Sequence, residues 1–406
     1  MFFNKGLSNS NKIFIHIGEG KTGSSTIQHF LNENRDTLLR LGYYYPKHDV
    51  DKNFISSGHE FCLNKLDELL IEASNKGSAL ILSSESFYGH AKHFRDFCSK
   101  HNLNPKIICF IRDAKGRINS EYNQKVKRNA ETKSFQEYIE NEIDDDDYIS
   151  REKSAKDWVD HFGKSILFIP YGSKFFKDGK EGIVEFFLAV IGIRKIKIDG
   201  RQKKINSSYS LSALLLKREL NKFFTKPVGK DELSTQIDFA LQDFSEKNAD
   251  EGGYNGYFEI PESEAPYFDS KIKDIEERFE NVIMKNLIYS YKFKNEEAVT
   301  KILNTRKYTF EYILNSFIYK NYPGLYYAIK HEVLSSDHLK ISPNFYTLEL
   351  AKCFNSDLTK LRLKDIINFD VEHHIKINPG IEKEGMNPYE HFIKHGISEG
   401  KYKFDL

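Results

Sequence analysis

Four short apolar runs limit what this chain can fold into. They read KIFIHIG (12–18), SALILSS (78–84), KIICFIR (106–112) and SILFIPY (165–171). Each run is continuous rather than alternating, which is the pattern of a strand buried on both faces of a parallel sheet. The spacers hold amphipathic segments such as residues 25–42, which end at Gly42. The sequence therefore predicts an α/β fold, with a mostly parallel sheet flanked by helices.

The second half of the chain has a different pattern. The strand pattern fades after about residue 200, and residues 212–224 and 269–288 are predicted to form helices that cover the sheet. From residue 300 onward, aromatic residues, histidine and asparagine cluster in short segments broken by NYPG, ISPN and NPG. We therefore predict a main domain at 1–295 and a small helical C-terminal appendage at 296–406.

Charge and cysteine content exclude several classes of function. The 406 residues carry a formal net charge of +1, so no overall field favours nucleic acid or a membrane surface. The four cysteines lie far apart in the sequence, at Cys62, Cys98, Cys109 and Cys353. This spacing argues against a zinc cluster or a disulfide framework and favours a reducing compartment. We expect neither a nucleic-acid partner nor a metal.

Segments that direct proteins to membranes are not expected in this chain. The N-terminal MFFNKGLSNSNK has no apolar core of a signal peptide, and the later run IVEFFLAVIGI is too short to span a bilayer. The expected location is the cytoplasm, without a transmembrane segment and with any membrane contact peripheral at the inner membrane.

A glycine-rich loop, GEGKTGSSTIQ, joins the first predicted strand to the first helix. Such a turn directs backbone N–H groups and a positive helix end toward a phosphate. The ATP-binding pattern GxxxxGK(S/T) does not fit, because Ile15 stands where its first glycine is needed. The predicted anion-binding residues are Gly20, Lys21, Thr22, Gly23, Ser24, Ser25 and Thr26. The structural alternative is a tight turn with a surface lysine.

A second anion-binding element is predicted after the third apolar run. Arg112 comes at the carboxyl end of that strand, and Ser120 follows eight residues later on the next helix. Both would face the ligand crevice of a parallel sheet, where an arginine fork and a hydroxyl suit a second phosphate of the same nucleotide. The alternative is an arginine that caps the strand or pairs with Asp113.

Taken together, the two elements resemble the sulfotransferases that use 3′-phosphoadenosine-5′-phosphosulfate (PAPS). GEGKTGSSTIQ is similar to their 5′-phosphosulfate loop, and Arg112 with Ser120 matches the spacing of their 3′-phosphate motif. The likeness covers residues 12–225 and is nearest to bacterial sulfotransferase-like proteins. It implies a P-loop-like α/β sulfotransferase domain at 1–295, PAPS as co-substrate without a metal, and Lys21 as the residue that stabilises the transferring sulfate.

The resemblance also implies an acceptor hydroxyl and a base that activates it. Carbohydrate sulfotransferases use a Glu or His near the end of an early strand, and two residues fit this description. Glu85 follows the strand LILSS, and His59 lies in SSGHEF. The structural alternatives are a carboxylate at a helix N-terminus for Glu85 and a hydrogen-bonded loop histidine for His59.

The C-terminal segment 369–406 resembles a short module appended to bacterial glycosyltransferases and polysaccharide-assembly proteins. It implies a glycan context, with a carbohydrate acceptor and glycan-assembly proteins as partners; the alternative is a helical end-piece. The sequence thus indicates a PAPS-dependent sulfotransferase that acts on a carbohydrate of a capsule or lipopolysaccharide precursor. A P-loop small-molecule kinase and a catalytically inactive nucleotide-binding scaffold are the alternatives.

Overall fold

A computed structural model describes most of the chain. The described residues are 11–48, 58–143, 147–171, 180–193, 209–287 and 306–336, with short stretches at 346, 349–350, 353–354, 375–376, 378–380 and 388–391. The predicted domain boundary after residue 295 lies outside these residues, as does most of the 369–406 segment. The division at 295/296 therefore stays a prediction.

Five parallel strands form the sheet. They are Lys12–His16 (β1), Tyr43–Tyr44 (β2), Ala79–Ser83 (β3), Asn104–Ile111 (β4) and Ile166–Pro170 (β5). Their order is β2-β3-β1-β4-β5, and every neighbouring pair is parallel. The predicted parallel sheet and its four apolar strands are confirmed. β2 was not predicted, because two residues are too few to form a recognisable apolar run.

The helices lie between and after the strands. In chain order they are Ser24–Glu33 (α1), Arg35–Arg40 (α2), Leu66–Asn75 (α3), Ala91–Lys100 (α4), Ala114–Arg128 (α5), Phe135–Ile143 (α6), Asp147–Phe162 (α7), Lys180–Ile191 (α8), Leu211–Leu220 (α9), Glu232–Lys247 (α10), Ala265–Ile283 (α11), Tyr319–Asn321 (α12), Pro323–Ser335 (α13) and Pro388–His391 (α14). Short 3-10 segments occupy Glu60–Lys65, Glu85–Gly89, Gly163–Ser165, Ala249–Glu251, Gly256–Glu259 and Met284–Asn286, and a π-helix spans Tyr312–Ile318.

The predicted helix over residues 25–42 is two helices, α1 and α2. The break falls at Asn34, whose backbone N–H and side-chain amide both donate to the carbonyl of Phe30, at 3.1 and 2.8 Å. A side chain that competes for the helix's own carbonyl favours termination. Gly42 ends the segment with a φ of 84°, the left-handed conformation in which glycine is favoured. The predicted helices at 212–224 and 269–288 correspond to α9 and α11. α11 packs Phe279 and Ile283 into a core of the sheet, whereas α9 belongs to a second compact unit, so the prediction that α9 covers the sheet is wrong.

By spatial contacts, the chain divides into two compact units. Unit 1 comprises residues 1–120, 139–206 and 260–301, and it contains the sheet; unit 2 comprises residues 121–138, 207–259 and 302–406. Unit 1 has one apolar core on each face of its sheet, because successive side chains of a strand point to opposite faces. Ile13 and Ile15 pack with Trp158 on one face, and Phe14 packs with Phe187 on the other.

Unit 2 encloses charged side chains as ion pairs. Arg218 lies 2.9 Å from Glu259, with only 6% and 12% of the two side chains exposed. Arg128 lies 3.2 Å from the buried Asp238, which also accepts a hydrogen bond from the hydroxyl of Tyr209. Pairing of this kind offsets the cost of removing charges from water.

The apolar run IVEFFLAVIGI begins within α8, which is 12 residues long. In the part of the chain that the structure describes, no helix combines the length and the apolar composition needed to cross a membrane.

Trp158 provides a test of the core of unit 1. Its ring is fully buried, its indole N–H donates to the Tyr88 carbonyl at 2.8 Å, and it stacks on Phe162. We expect Trp158→Ala to lower the free energy of unfolding by about 3–5 kcal/mol, because a large cavity remains. Trp158→Phe should cost less, since it keeps a ring. Urea titration followed by circular dichroism measures both; equal losses would mean that ring volume is not what stabilises this site.

Candidate functional site

Three strands bring the predicted site residues to one edge of the sheet. β1 leads into the glycine-rich loop, β3 is followed after one residue by Glu85, and β4 is followed directly by Arg112. β1 lies between β3 and β4. The chain thus adds β3 on one side of β1 and β4 on the other, and the loop leaves β1 at the point where the strand order reverses direction. Ligands of open parallel sheets bind at such a switch point, outside the carboxyl ends of the strands.

The loop has three residues in the left-handed conformation. They are Gly18, Lys21 and Gly23, with φ of 75°, 66° and 84°. The Thr22 hydroxyl donates to the Glu19 carbonyl at 2.5 Å and closes the turn. α1 begins directly after Gly23 without a side-chain hydrogen bond at its cap among the described residues. The first backbone N–H groups of α1 are thus placed to bind an anion.

Glu85 packs against this loop. A Cβ added at Gly18 would lie 3.1–3.4 Å from three atoms of Glu85, and one at Gly20 would lie 3.7 Å from its Oε2 atom. The residue as a whole is exposed to solvent, while the loop glycines lie close to its side chain. Burial raises the pKa of Glu85, while the charge of Lys21 and the hydroxyl of Ser24 act in the opposite direction. A carboxylate with a raised pKa beside a lysine suits proton transfer.

Arg112 lies on the other side of the loop. Its guanidinium donates to the Lys21 carbonyl at 3.4 Å, and its Cζ atom lies 5.8 Å from the centre of the Tyr171 ring. Asp113, the alternative partner that the sequence suggested for Arg112, accepts from the Gly116 N–H at 2.6 Å and caps α5. Ser120 is half-buried on α5, eight residues beyond Arg112.

His59 lies in a buried position with both ring nitrogens in use. Its Nε2 atom bonds to the Pro46 carbonyl at 2.9 Å, and its Nδ1 atom accepts from the Ser83 N–H at 3.0 Å. The second bond requires an unprotonated Nδ1, so the ring is the Nε2–H tautomer. Burial lowers the pKa of His59 to about 4 and that of His16, which bonds to the Ser83 hydroxyl, to about 3. Both rings are therefore neutral near pH 7.

A buried ionic cluster behind the loop was not predicted from the sequence. The Glu19 carboxylate accepts two hydrogen bonds from the Arg151 guanidinium of α7, and these two side chains are only 4% and 2% exposed. Arg151 also lies against the Phe279 ring, with its Cζ atom 3.6 Å from the ring centre. An acidic residue within a predicted anion-binding loop does signal that a basic partner is needed. The sequence does not tell which of many basic residues supplies it.

The third member of this cluster is Glu276 of α11. Its carboxylate accepts from the Ala114 N–H, the first of α5, at 2.6 Å. Burial raises the pKa of Glu276 to about 7, although the charge of Arg151 and the Ala114 hydrogen bond oppose this shift. Glu276 therefore holds the start of the helix that carries Ser120.

Among the described residues, no group of three or more His, Cys, Asp or Glu side chains is arranged to hold a metal ion. No family model and no curated protein matches the chain. The crystal structure of a sulfotransferase from Alicyclobacillus acidocaldarius is similar to this chain, with a TM-score of 0.32 and 18% identity. The match covers 53% of this chain and 92% of that chain. The fold class stated above rests on the sheet topology itself.

Glu276 predicts a pH dependence of stability. Because its pKa rises from an ordinary 4.5 to about 7 in the folded protein, the folded state binds more protons than the unfolded state between these values. The contribution of this group to stability is thus present below pH 4.5 and is lost as the pH rises toward 7. Glu276→Gln should remove this slope, whereas the exposed control Glu277→Gln should retain it. Urea titrations across this pH range test the prediction; an unchanged slope in Glu276→Gln would contradict it.

Proposed function

We propose that this protein transfers a sulfuryl group from PAPS to a hydroxyl of a carbohydrate. The observation that carries the proposal is the convergence of Lys21, Arg112 and Glu85 at the carboxyl edge of the sheet. The Arg112 guanidinium bonds to the Lys21 carbonyl, and Glu85 packs on the glycines of the same loop. Two cationic side chains that could bind the phosphates of a nucleotide thus lie beside a carboxylate that could accept the proton of an acceptor hydroxyl.

The donor would be held by both anion-binding elements. The 5′-phosphate is assigned to the loop residues Gly20, Lys21, Thr22, Gly23, Ser24, Ser25 and Thr26, chiefly through their backbone N–H groups. The Thr22 hydroxyl donates to the Glu19 carbonyl within the loop, so Thr22 would contribute its N–H. Gly23 fits this role, because its φ of 84° lies in the left-handed region that favours glycine and places it at the turn into α1. Arg112 and Ser120 hold the 3′-phosphate, and the likeness of this spacing to the PAPS-binding motifs supports the assignment.

The reaction is an in-line displacement at sulfur that needs positioning and charge stabilisation. The acceptor oxygen forms a bond to sulfur as the bond from sulfur to the phosphate oxygen breaks, and the acceptor proton passes to Glu85. Lys21 stabilises the negative charge that develops on the leaving phosphate. His59, the other candidate base, has both nitrogens bonded within the protein, so we assign the base to Glu85.

The acceptor and the cellular setting rest on the sequence likeness. We propose a precursor of a cell-surface polysaccharide, such as a capsule or lipopolysaccharide, as acceptor. The protein would work in the cytoplasm, with any membrane contact peripheral at the inner membrane. The appendage at 296–406, outside the sulfotransferase domain at 1–295, would bind glycan-assembly proteins.

Two other functions use the same loop. A P-loop kinase would bind ATP with Mg²⁺, but the loop fits the GxxxxGK(S/T) pattern in neither register. An inactive scaffold would bind the nucleotide without turning it over. These alternatives predict different ligands and different activities.

Calorimetric titration with 3′-phosphoadenosine-5′-phosphate and with ATP plus Mg²⁺ tests the donor assignment. We expect the bisphosphate to bind with a Kd on the order of 1 μM, which corresponds to about −8 kcal/mol, and ATP to bind much more weakly. Lys21→Met should weaken binding of the bisphosphate, because the positive charge proposed to contact its 5′-phosphate is lost. No bisphosphate binding by the wild-type protein would contradict the proposal, and a preference for ATP would favour the kinase.

Glu85→Gln tests the chemical step. With PAPS and a panel of saccharides, we expect turnover to fall by about 100-fold or more, while bisphosphate affinity in calorimetry is retained. The matched control is Glu68→Gln, an exposed carboxylate on α3, which should behave as wild type. Full activity of Glu85→Gln would exclude it as the base; nucleotide binding without turnover in the wild-type protein would favour the scaffold.

A further inference from the structure

We infer that Arg151 is a positioning residue that holds the glycine-rich loop and Arg112 in a fixed relation, so that one nucleotide can engage both. The inference rests on the proposed function, since it assigns the loop and Arg112 to the two phosphates of one ligand. Arg151 is not itself placed against the ligand. It acts through Glu19 and through the backbone of Arg112.

On the loop side, Arg151 binds Glu19 with two nitrogens. Its Nε atom donates to Oε1 of Glu19, and its NH2 group donates to Oε2 at 3.0 Å. Glu19 lies two residues before Lys21, and its own N–H donates to the Phe110 carbonyl of β4 at 2.9 Å. The start of the loop is thus held in place both by the backbone N–H of Glu19 and by its carboxylate.

On the strand side, the same groups bind the backbone of Arg112. The NH2 group of Arg151 donates to the Arg112 carbonyl at 2.7 Å, and Oε2 of Glu19 accepts from the Arg112 N–H at 3.3 Å. One guanidinium and one carboxylate therefore join two segments that lie 93 residues apart in the sequence.

The position of Arg151 is itself fixed. Its side chain is 2% exposed and stacks on Phe279, and its backbone carbonyl accepts from the Tyr88 hydroxyl at 3.1 Å. Planar fork geometry restricts Arg to few arrangements against a carboxylate. The pair thus acts as a rigid link between the two anion-binding elements.

This link has a consequence that depends on the ligand. A bisphosphate gains affinity over a monophosphate when its second phosphate meets a group already held at the right distance, because less freedom is lost on binding. A 5′-monophosphate contacts only the loop and does not need that distance. Loss of the link between Arg151 and Glu19 should therefore weaken binding of the bisphosphate more than binding of the monophosphate.

The experiment compares 3′-phosphoadenosine-5′-phosphate with adenosine 5′-phosphate by calorimetry on the full chain. The variants are Arg151→Met, which removes the fork, and Glu19→Gln, which keeps the shape but replaces an acceptor with a donor. For each variant, we expect the Kd of the bisphosphate, divided by the Kd of the monophosphate, to increase by about tenfold, or about 1.4 kcal/mol. If Arg151→Met does not fold, Glu19→Gln decides the question alone.

The matched control is Arg218→Met in unit 2. It removes a buried arginine from a comparable ion pair with Glu259, at 2.9 Å, and should lower stability without changing the ratio. The inference would be overturned if the ratio of the two Kd values were unchanged in both Arg151→Met and Glu19→Gln, including the case in which both ligands lose affinity equally. Failure of the wild-type protein to bind the bisphosphate would instead contradict the proposed function, so the two failures are distinguishable.

Discussion

The ion pair between Glu19 and Arg151 is the interaction on which the candidate site depends. A carboxylate within a loop that binds phosphate would repel its ligand if its charge were not neutralised. Arg151 neutralises it inside the protein, so that Glu19 would not oppose the proposed binding of phosphate by the loop. A buried ion pair contributes little net stability because of its desolvation cost. Its value here lies in geometry, since it joins the loop to the end of β4.

The parallel sheet makes that geometry possible. Since all strands run in one direction, β1, β3 and β4 end at the same edge and bring Lys21, Glu85 and Arg112 together from distant parts of the sequence. The same edge also contains His16 and His59, whose lowered pKa values keep both rings neutral near pH 7. The site thus combines two cationic side chains with Glu85, a carboxylate whose pKa is raised, and with two neutral, hydrogen-bonded histidines.

The sequence predicted the fold well wherever its signal was local. Each apolar run became a strand, and Gly42 ended a helical segment. It did not predict the break between α1 and α2. There the side chain of Asn34 donates to the Phe30 carbonyl and ends α1 within the stretch expected to form one helix. Among the site residues, the roles assigned to Lys21, Arg112, Ser120 and Glu85 remain predictions, although the structure places Lys21, Arg112 and Glu85 about one loop.

By itself, the sequence determined where four of the five strands lie and where the glycine-rich loop joins the first strand to the first helix, because periodicity and glycine placement act over a few residues. It also offered two candidate bases, Glu85 after the strand LILSS and His59 in SSGHEF. Tertiary structure alone decided that Arg151 and Glu276 hold the loop and the start of α5, and that His59 is bonded within the protein. These outcomes depend on which distant side chains are buried together, and desolvation and charge pairing act through space rather than along the chain.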